Sequence, residues 1–263
     1  LKENLKNLVM LPYNDIDKSK KILNKYKKDL SCVIIEPIQG SLPSPNIKNY
    51  LKFLENYSKK NKINLIFDEM ITGLRTDFSC VQKHFGIKSD ITLFGKCVGA
   101  GYPIGIIAIS NKINNKLRKI KKKVFFGGTF SGNSFVSFVG NETFNYIKKN
   151  KNKIFKKINQ HAKSIEDNLN SYFLKNKLDL KIYRFKSMLR LVYSTKSISN
   201  RVVRDFLESK KNNQISKFKK YIANQKIYIP SSGLIFISYA HSKKEINYII
   251  EKFKLGSFKY FKK

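Results

Sequence analysis

The chain has 263 residues, 41% hydrophobic and 13% aromatic, enough apolar material for one large domain or a large and a small one, and too much for a disordered protein. It holds no run of about 18 uncharged apolar residues, so no transmembrane helix and no membrane partner are expected. The net charge of +35 raises the question of nucleic acid, but the excess is 47 lysines against six arginines, and contact surfaces for nucleic acid favour the arginine fork. That balance, with many Asn, Ile, Phe and Tyr, fits an AT-biased coding sequence that placed lysine on tolerant surface, and no nucleic-acid partner is expected. A basic nucleic-acid-binding protein is the alternative from another class. Cys32, Cys80 and Cys97 match no zinc spacing and suit a reducing cytoplasm. The chain begins at Leu1 without Met and without a signal pattern, which suggests a fragment of a longer cytoplasmic protein.

In chain order, residues 32–36 form a short apolar run before Pro37, a buried strand by pattern. Residues 47–60 space Ile47, Tyr50, Leu51, Leu54 and Tyr57 as a helix does, with Asn46 as N-cap. Residues 64–68 are a second strand, and strand–helix–strand over so short a stretch implies a parallel pair. Residues 91–94 and 104–110 are further strands, separated by a turn crowded with Gly99, Gly101, Pro103 and Gly105. A loop, Gly127-Gly-Thr-Phe-Ser-Gly-Asn133, precedes a long helical stretch to about Leu174. Strands at 180–185 and 188–193, helices at 201–207 and 216–224, a strand at 234–239 and a helix at 245–253 follow. The pattern predicts an α/β large domain with a mainly parallel sheet over 1–150 and a smaller α+β domain over 151–263.

In open α/β sheets ligands sit at the carboxyl ends of strands. Asp68 and Glu69 end the second strand, Lys96 follows the third, and the loop around Thr129 can offer amides and hydroxyls to a phosphate. The nearby glycines do not make the Gly-x-x-x-x-Gly-Lys-Ser/Thr nucleotide loop. An acid and a lysine on neighbouring strand ends suit pyridoxal phosphate: burial lowers the lysine pKa so that it can attack the aldehyde, and the acid keeps the pyridine nitrogen protonated. Cys97, beside Lys96, reads as a small buried residue.

Four runs stand in order: Val33-Ile-Ile-Glu-Pro-Ile-Gln-Gly40, Leu65-Ile-Phe-Asp-Glu-Met-Ile-Thr-Gly-Leu-Arg75, Asp90-Ile-Thr-Leu-Phe-Gly-Lys-Cys-Val-Gly-Ala-Gly-Tyr-Pro-Ile-Gly105 and Gly128-Thr-Phe-Ser-Gly-Asn133. Together they resemble the class-III pyridoxal-phosphate aminotransferases. Asn200-Arg-Val-Val-Arg-Asp205 and Ile237-Ser-Tyr-Ala-His241 resemble the glutamate-1-semialdehyde 2,1-aminomutase branch. The resemblance implies the fold-type I architecture, pyridoxal 5'-phosphate, and a small-molecule amine or aldehyde substrate. It implies a Schiff base on Lys96, Asp68 on the pyridine nitrogen and Met70 on the ring face. It further implies a homodimer with shared sites, in which Thr129 binds the cofactor phosphate of the partner subunit. Glu36, Glu69 and Arg75 match the motifs as scaffold, through strand-end hydrogen bonds and an ion pair. Arg190 is a weak candidate for a substrate carboxylate clamp. Aminomutases usually carry a glutamate shortly before the Ser-x-Ala-His segment, where this chain has Pro230-Ser-Ser-Gly-Leu234, so a transaminase for another aldehyde or keto substrate is the alternative. A remnant without activity is a further one, against which the presence of both Lys96 and Asp68 argues.

Overall fold

The computed structural model describes residues 6–121, 124–125, 127–129, 131–198, 200–230 and 232–262. Its first sheet has the order β1 (Cys32–Ile35), β2 (Asn64–Asp68), β3 (Ile91–Gly95), β4 (Gly105–Ile109). β1 and β2 run parallel, with Val33 opposite Leu65 and Ile35 opposite Phe67, and β3 continues parallel to β2. β4 turns back antiparallel and pairs Gly105 with Gly95. The carboxyl ends of β1, β2 and β3 therefore open at one edge, and the turn into β4 closes over it.

Helix α1 (Ile16–Tyr26) starts at Asp15, whose side chain accepts from the Lys18 amide at 3.0 Å. Helix α2 (Lys48–Lys60) joins β1 to β2 and buries Tyr50, Leu51 and Leu54 at helical spacing. The predicted Asn46 cap is not formed: the helix starts after Ile47 without a side-chain cap, and the Asn46 carbonyl is taken by Asn14 Nδ2 at 2.9 Å. Tyr50, Leu51, Leu54, Leu65 and Phe67 belong to one core, which also takes in Phe185 and Met188 from the second sheet. Helices α3 (Cys80–Phe85) and α4 (Asn111–Lys119) were not legible as helices, being short or almost wholly polar.

Helix α5 (Ser134–Lys175) runs 42 residues, capped by Asn133 accepting from the Val136 amide at 3.0 Å. Its C-terminal half packs on a second, antiparallel sheet of β5 (Lys181–Phe185), β6 (Met188–Val192) and β7 (Leu234–Phe236). Asn170 on α5 clamps β5, donating to the Ile182 carbonyl and accepting from its amide at 2.7 Å. Helices α6 (Arg201–Ser209), α7 (Asn212–Asn224) and α8 (Lys243–Phe261) complete the chain, α8 beginning in a Ser242–Glu245 capping box. β7 is shorter and α8 longer than the sequence pattern predicts. Ala162, Ile165, Leu169, Phe173, Leu189, Phe218 and Phe253 form a second core between α5, this sheet and the last helices.

Asp179 ties the start of this sheet to α7. It accepts from the Thr195 amide at 2.5 Å and its hydroxyl at 2.7 Å, and pairs with Lys211 at 2.6 Å. Burial raises its carboxyl, but the Lys211 ammonium and the Thr195 donors outweigh burial and hold it at about 2. An unfolded aspartate titrates near about 3.9. The contribution is thus complete above about pH 4 and lost as pH falls towards 2. Asp179→Asn is expected to flatten the fall in Tm over that window; identical slopes for variant and parent contradict the assignment.

Among the described residues no helix is long and apolar enough to cross a membrane, and no group of three or more His, Cys, Asp or Glu side chains is placed to hold a metal.

Candidate active site

β2 carries Asp68 to the open edge, level with Leu93 of β3. Asp68 Oδ1 accepts from the Met70 amide at 3.0 Å, and Oδ2 has no hydrogen-bond partner among the described residues. On the next strand the chain passes Gly95 and enters a 3-10 turn, Lys96–Gly99. Neighbouring strands lie about 4.8 Å apart, so Asp68 and Lys96 leave the sheet one strand apart at the same end. Lys96 sits at φ 51 and Ala100 at φ 49, in the left-handed region. Such backbone costs about 1–2 kcal/mol per residue and gathers where function demands a particular side-chain direction. It lifts Lys96 away from the strand, and the side chain is exposed, not buried as the sequence reading expected.

Met70 lies across Gly95. A Cβ on Gly95 would meet Met70 Cε at 2.5 Å and the Ile104 carbonyl oxygen at 2.9 Å, so the thioether covers the backbone between acid and lysine only because that residue has no side chain.

Glu36, just beyond β1, is the third charged group. Its Oε2 accepts from the Gly40 amide at 3.0 Å, folding the side chain into its own turn. Burial raises the Glu36 carboxyl; the Gly40 amide opposes that, the Asp68 charge adds to it, and the Lys96 and Arg201 charges lower it. Asp68, Lys96 and Arg201 therefore all act on one carboxylate at this edge. Glu69 turns the other way. It is fully buried and accepts from Thr72 Oγ1 at 2.8 Å and from the amides of Val81 at 3.1 Å and Gln82 at 3.3 Å, which fastens the start of α3. Desolvation holds its carboxyl above the usual range despite those donors. Glu36 and Glu69 are thus the strand-end hydrogen bonders expected. Arg75 differs from expectation: in place of an ion pair, its guanidinium lies 4.1 Å over the Phe236 ring and its Nε donates to the Ile71 carbonyl at 2.9 Å.

Thr129 is exposed and not gathered with Asp68 and Lys96 inside this chain. It lines an open cleft of about 910 Å³ with Val98, Gly105, Asn133 and Ser137, between the β4 edge and the start of α5. Arg190 does not reach the strand ends as a free clamp. It is 6% exposed, bonds Glu208 Oε2 through Nη2 at 3.0 Å, and packs Nη1 2.6 Å from where a Cβ on Gly233 would stand. Gly233 is at φ 74, which further excludes a larger residue. Arg201 is the charged residue near the edge that sequence reasoning passed over.

A mostly parallel α/β sheet with a lysine, an acid and a glycine-seated thioether at one strand edge defines an enzyme-like strand-end site. Residues 3–184 match the family Aminotransferase class-III, and the chain belongs to that family. It is 31% identical over 258 residues to the glutamate-1-semialdehyde 2,1-aminomutase of Methanocaldococcus jannaschii, covering 95% of this chain and 58% of that protein. It is 33% identical over 261 residues to the protein of the same name from Thermodesulfovibrio yellowstonii, covering 97% of this chain and 58% of that protein. An omega-transaminase from Sphaerobacter thermophilus shares the fold, with TM-score 0.88 at 19% identity, covering 98% of this chain and 58% of that one. The chain thus spans a little over half the length of the relatives it matches.

Proposed function

We propose that the complete protein is a pyridoxal 5'-phosphate-dependent transaminase or aminomutase, moving an amino group as its relatives' name, glutamate-1-semialdehyde 2,1-aminomutase, describes. The observation that carries this is the placement of Lys96 and Asp68 on neighbouring strand ends with Met70 seated on Gly95 between them. These residues fit the cofactor: an exposed amine to attach to, a carboxylate with one oxygen open, and an apolar thioether seated between them.

In this reading Lys96 Nζ would hold the cofactor covalently, and Asp68 Oδ2 would keep a proton on the pyridine nitrogen. Met70 packs on the ring face. When bound, the cofactor draws electrons from the substrate carbon and so makes its C–H bond acidic. Lys96 Nζ would also be the base that accepts and returns a proton at the substrate carbon. Thr129 binds the phosphate of the partner subunit's cofactor in a homodimer with shared sites, and its exposure on the β4–α5 cleft supports that role. The substrate is a small amine or aldehyde; the protein is cytoplasmic and binds neither nucleic acid nor membrane. Residues 1–150 belong to the cofactor-binding unit and 151–263 to the smaller one.

The test is borohydride reduction with pyridoxal phosphate followed by peptide mapping. A label on Lys96 is expected, and a label on any other lysine rejects the mechanism. A second reading, amino transfer to a different aldehyde or keto acceptor, is favoured by Gly233, where Arg190 packs and no acid stands within Pro230-Ser-Ser-Gly-Leu234.

A further inference from the structure

We propose that Met70 is a modification site: hydrogen peroxide oxidises its thioether to the sulfoxide in the cofactor-free protein, and the bound cofactor shields it; this rests on the function proposed above.

The three methionines of the chain stand in three different surroundings. Met188 is wholly buried, in the core that the second sheet shares with β1, β2 and α2. Met10 is 85% exposed on the stretch before α1, where an added oxygen meets water. Met70 is half-buried, two residues beyond the acid that ends β2, with its amide on Asp68 Oδ1 at 3.0 Å. Its sulfur lies 3.0 Å, and its Cε 2.5 Å, from where a Cβ on Gly95 would stand, and Gly95 is the residue before Lys96. Of the three, Met70 alone stands at the strand-end site.

The nearby thiols are poorer targets. A thiol reacts with peroxide as the thiolate. Burial pushes the Cys97 thiol up, against the charges of Arg75 and Lys96, and burial with the Glu69 charge pushes Cys80 up to about 12. Both stay protonated at neutral pH. A thioether has no proton to lose. Its sulfur lone pair attacks one peroxide oxygen, and the O–O bond breaks as the S–O bond forms. The other oxygen leaves as water, taking the proton of the first. Sulfur is oxidised by two electrons and the peroxide reduced by two.

Gly95 sets where the new oxygen goes. On that side the thioether is closed in by backbone, and the Ile104 carbonyl oxygen, 2.9 Å from the same Cβ position, would oppose a second acceptor. The oxygen is left with the open edge, where Asp68 and Lys96 leave the sheet. Oxidation makes the apolar thioether polar. An aromatic ring laid over it would bury an acceptor without a donor. The same ring, once in place, covers the sulfur from peroxide. Cofactor loading and Met70 oxidation therefore oppose each other.

Peptide mass mapping of the complete protein after graded hydrogen peroxide, with and without pyridoxal phosphate, tests this. In the cofactor-free protein Met70 is expected to gain one oxygen while Met188 gains none. Saturating pyridoxal phosphate is expected to slow the Met70 reaction about tenfold or more, since susceptibility follows exposure. The oxidised protein is expected to bind pyridoxal phosphate on the order of 10- to 100-fold more weakly. Methionine sulfoxide reductase with dithiothreitol should restore binding, releasing the oxygen as water and leaving the dithiol as a disulfide. With each variant read against its own untreated sample, Met70→Leu should lose the peroxide effect and Met10→Leu should keep it. Three results each overturn the proposal: Met70 unmodified when Met10 is fully oxidised, equal Met70 rates with and without pyridoxal phosphate, or a binding loss that survives in Met70→Leu. Borohydride labelling away from Lys96 removes the chemistry proposed above, while the mass of the Met70 peptide from cofactor-free protein still reads the oxidation by itself.

Discussion

Lys96→Ala is expected to lower turnover by roughly four orders of magnitude, the upper range for loss of a positioned proton-transfer group, and to abolish borohydride labelling. Lys96→Arg should not rescue it, because a guanidinium does not give up its proton near neutral pH. Stability should behave differently. Lys96 is exposed and held at φ 51, a backbone region that only glycine enters without penalty. Lys96→Gly removes about 1 kcal/mol of backbone cost and breaks no hydrogen bond that the Lys96 side chain makes among the described residues, so it should melt no lower than the parent while being equally inactive. Thermal melts of the alanine and glycine variants beside their turnover check both halves. A clear drop in Tm for the glycine variant would mean that the lysine side chain supports the fold.

Glu208→Ala is expected to cost about 3–5 kcal/mol, the range for breaking a buried ion pair from one side. Glu208 accepts from Arg190 Nη2 at 3.0 Å and from the Tyr193 amide at 3.4 Å, with Arg204 Nε 3.6 Å away. Arg190 already holds Nε and Nη1 buried without partners, so the carboxylate is what makes its charge tolerable there. A double variant, Arg190→Met with Glu208→Leu, should recover most of the loss, because it removes both charges. Urea denaturation of the parent, Glu208→Ala and the double variant measures this. A single variant no less stable than the double would place the cost in packing.

Much of the large unit was legible. Its strands at 32–35, 64–68 and 91–95 are short, mostly apolar runs, a signal that lysine-rich surroundings sharpen. Helices α1, α3 and α4 were not, for a physical reason. α1 buries only Ser19 and Leu23, and α4 only Ile113, so their apolar stripes are too narrow to read under a coat of Lys and Asn. The positions of Asp68 and Lys96 on neighbouring strand ends were legible because both stand in recognisable runs. The non-local contacts were not: nothing in the local pattern around Arg190 points to Glu208, or around Arg204 to Ser41. One signal was available and unused. With 47 lysines and six arginines, the scarce arginines are the positions to place first. Four of the six are now seen stacked on a ring or paired with a carboxylate in the interior or at its margin, and a fifth is Arg201.

β4 hydrogen-bonds to β3 on one side and to no other described strand, and it exposes Ile106, Ile107 and Ile109. An uncovered strand edge of that kind is sticky: its backbone groups can pair with an identical edge on another molecule. Mutual repulsion between chains of net charge +35 opposes pairing through that edge. Added salt shortens the reach of that repulsion to about 10 Å at 0.1 M and leaves backbone pairing untouched. Pairing through the β4 edge should therefore strengthen as salt is raised, the reverse of an assembly held by ion pairs.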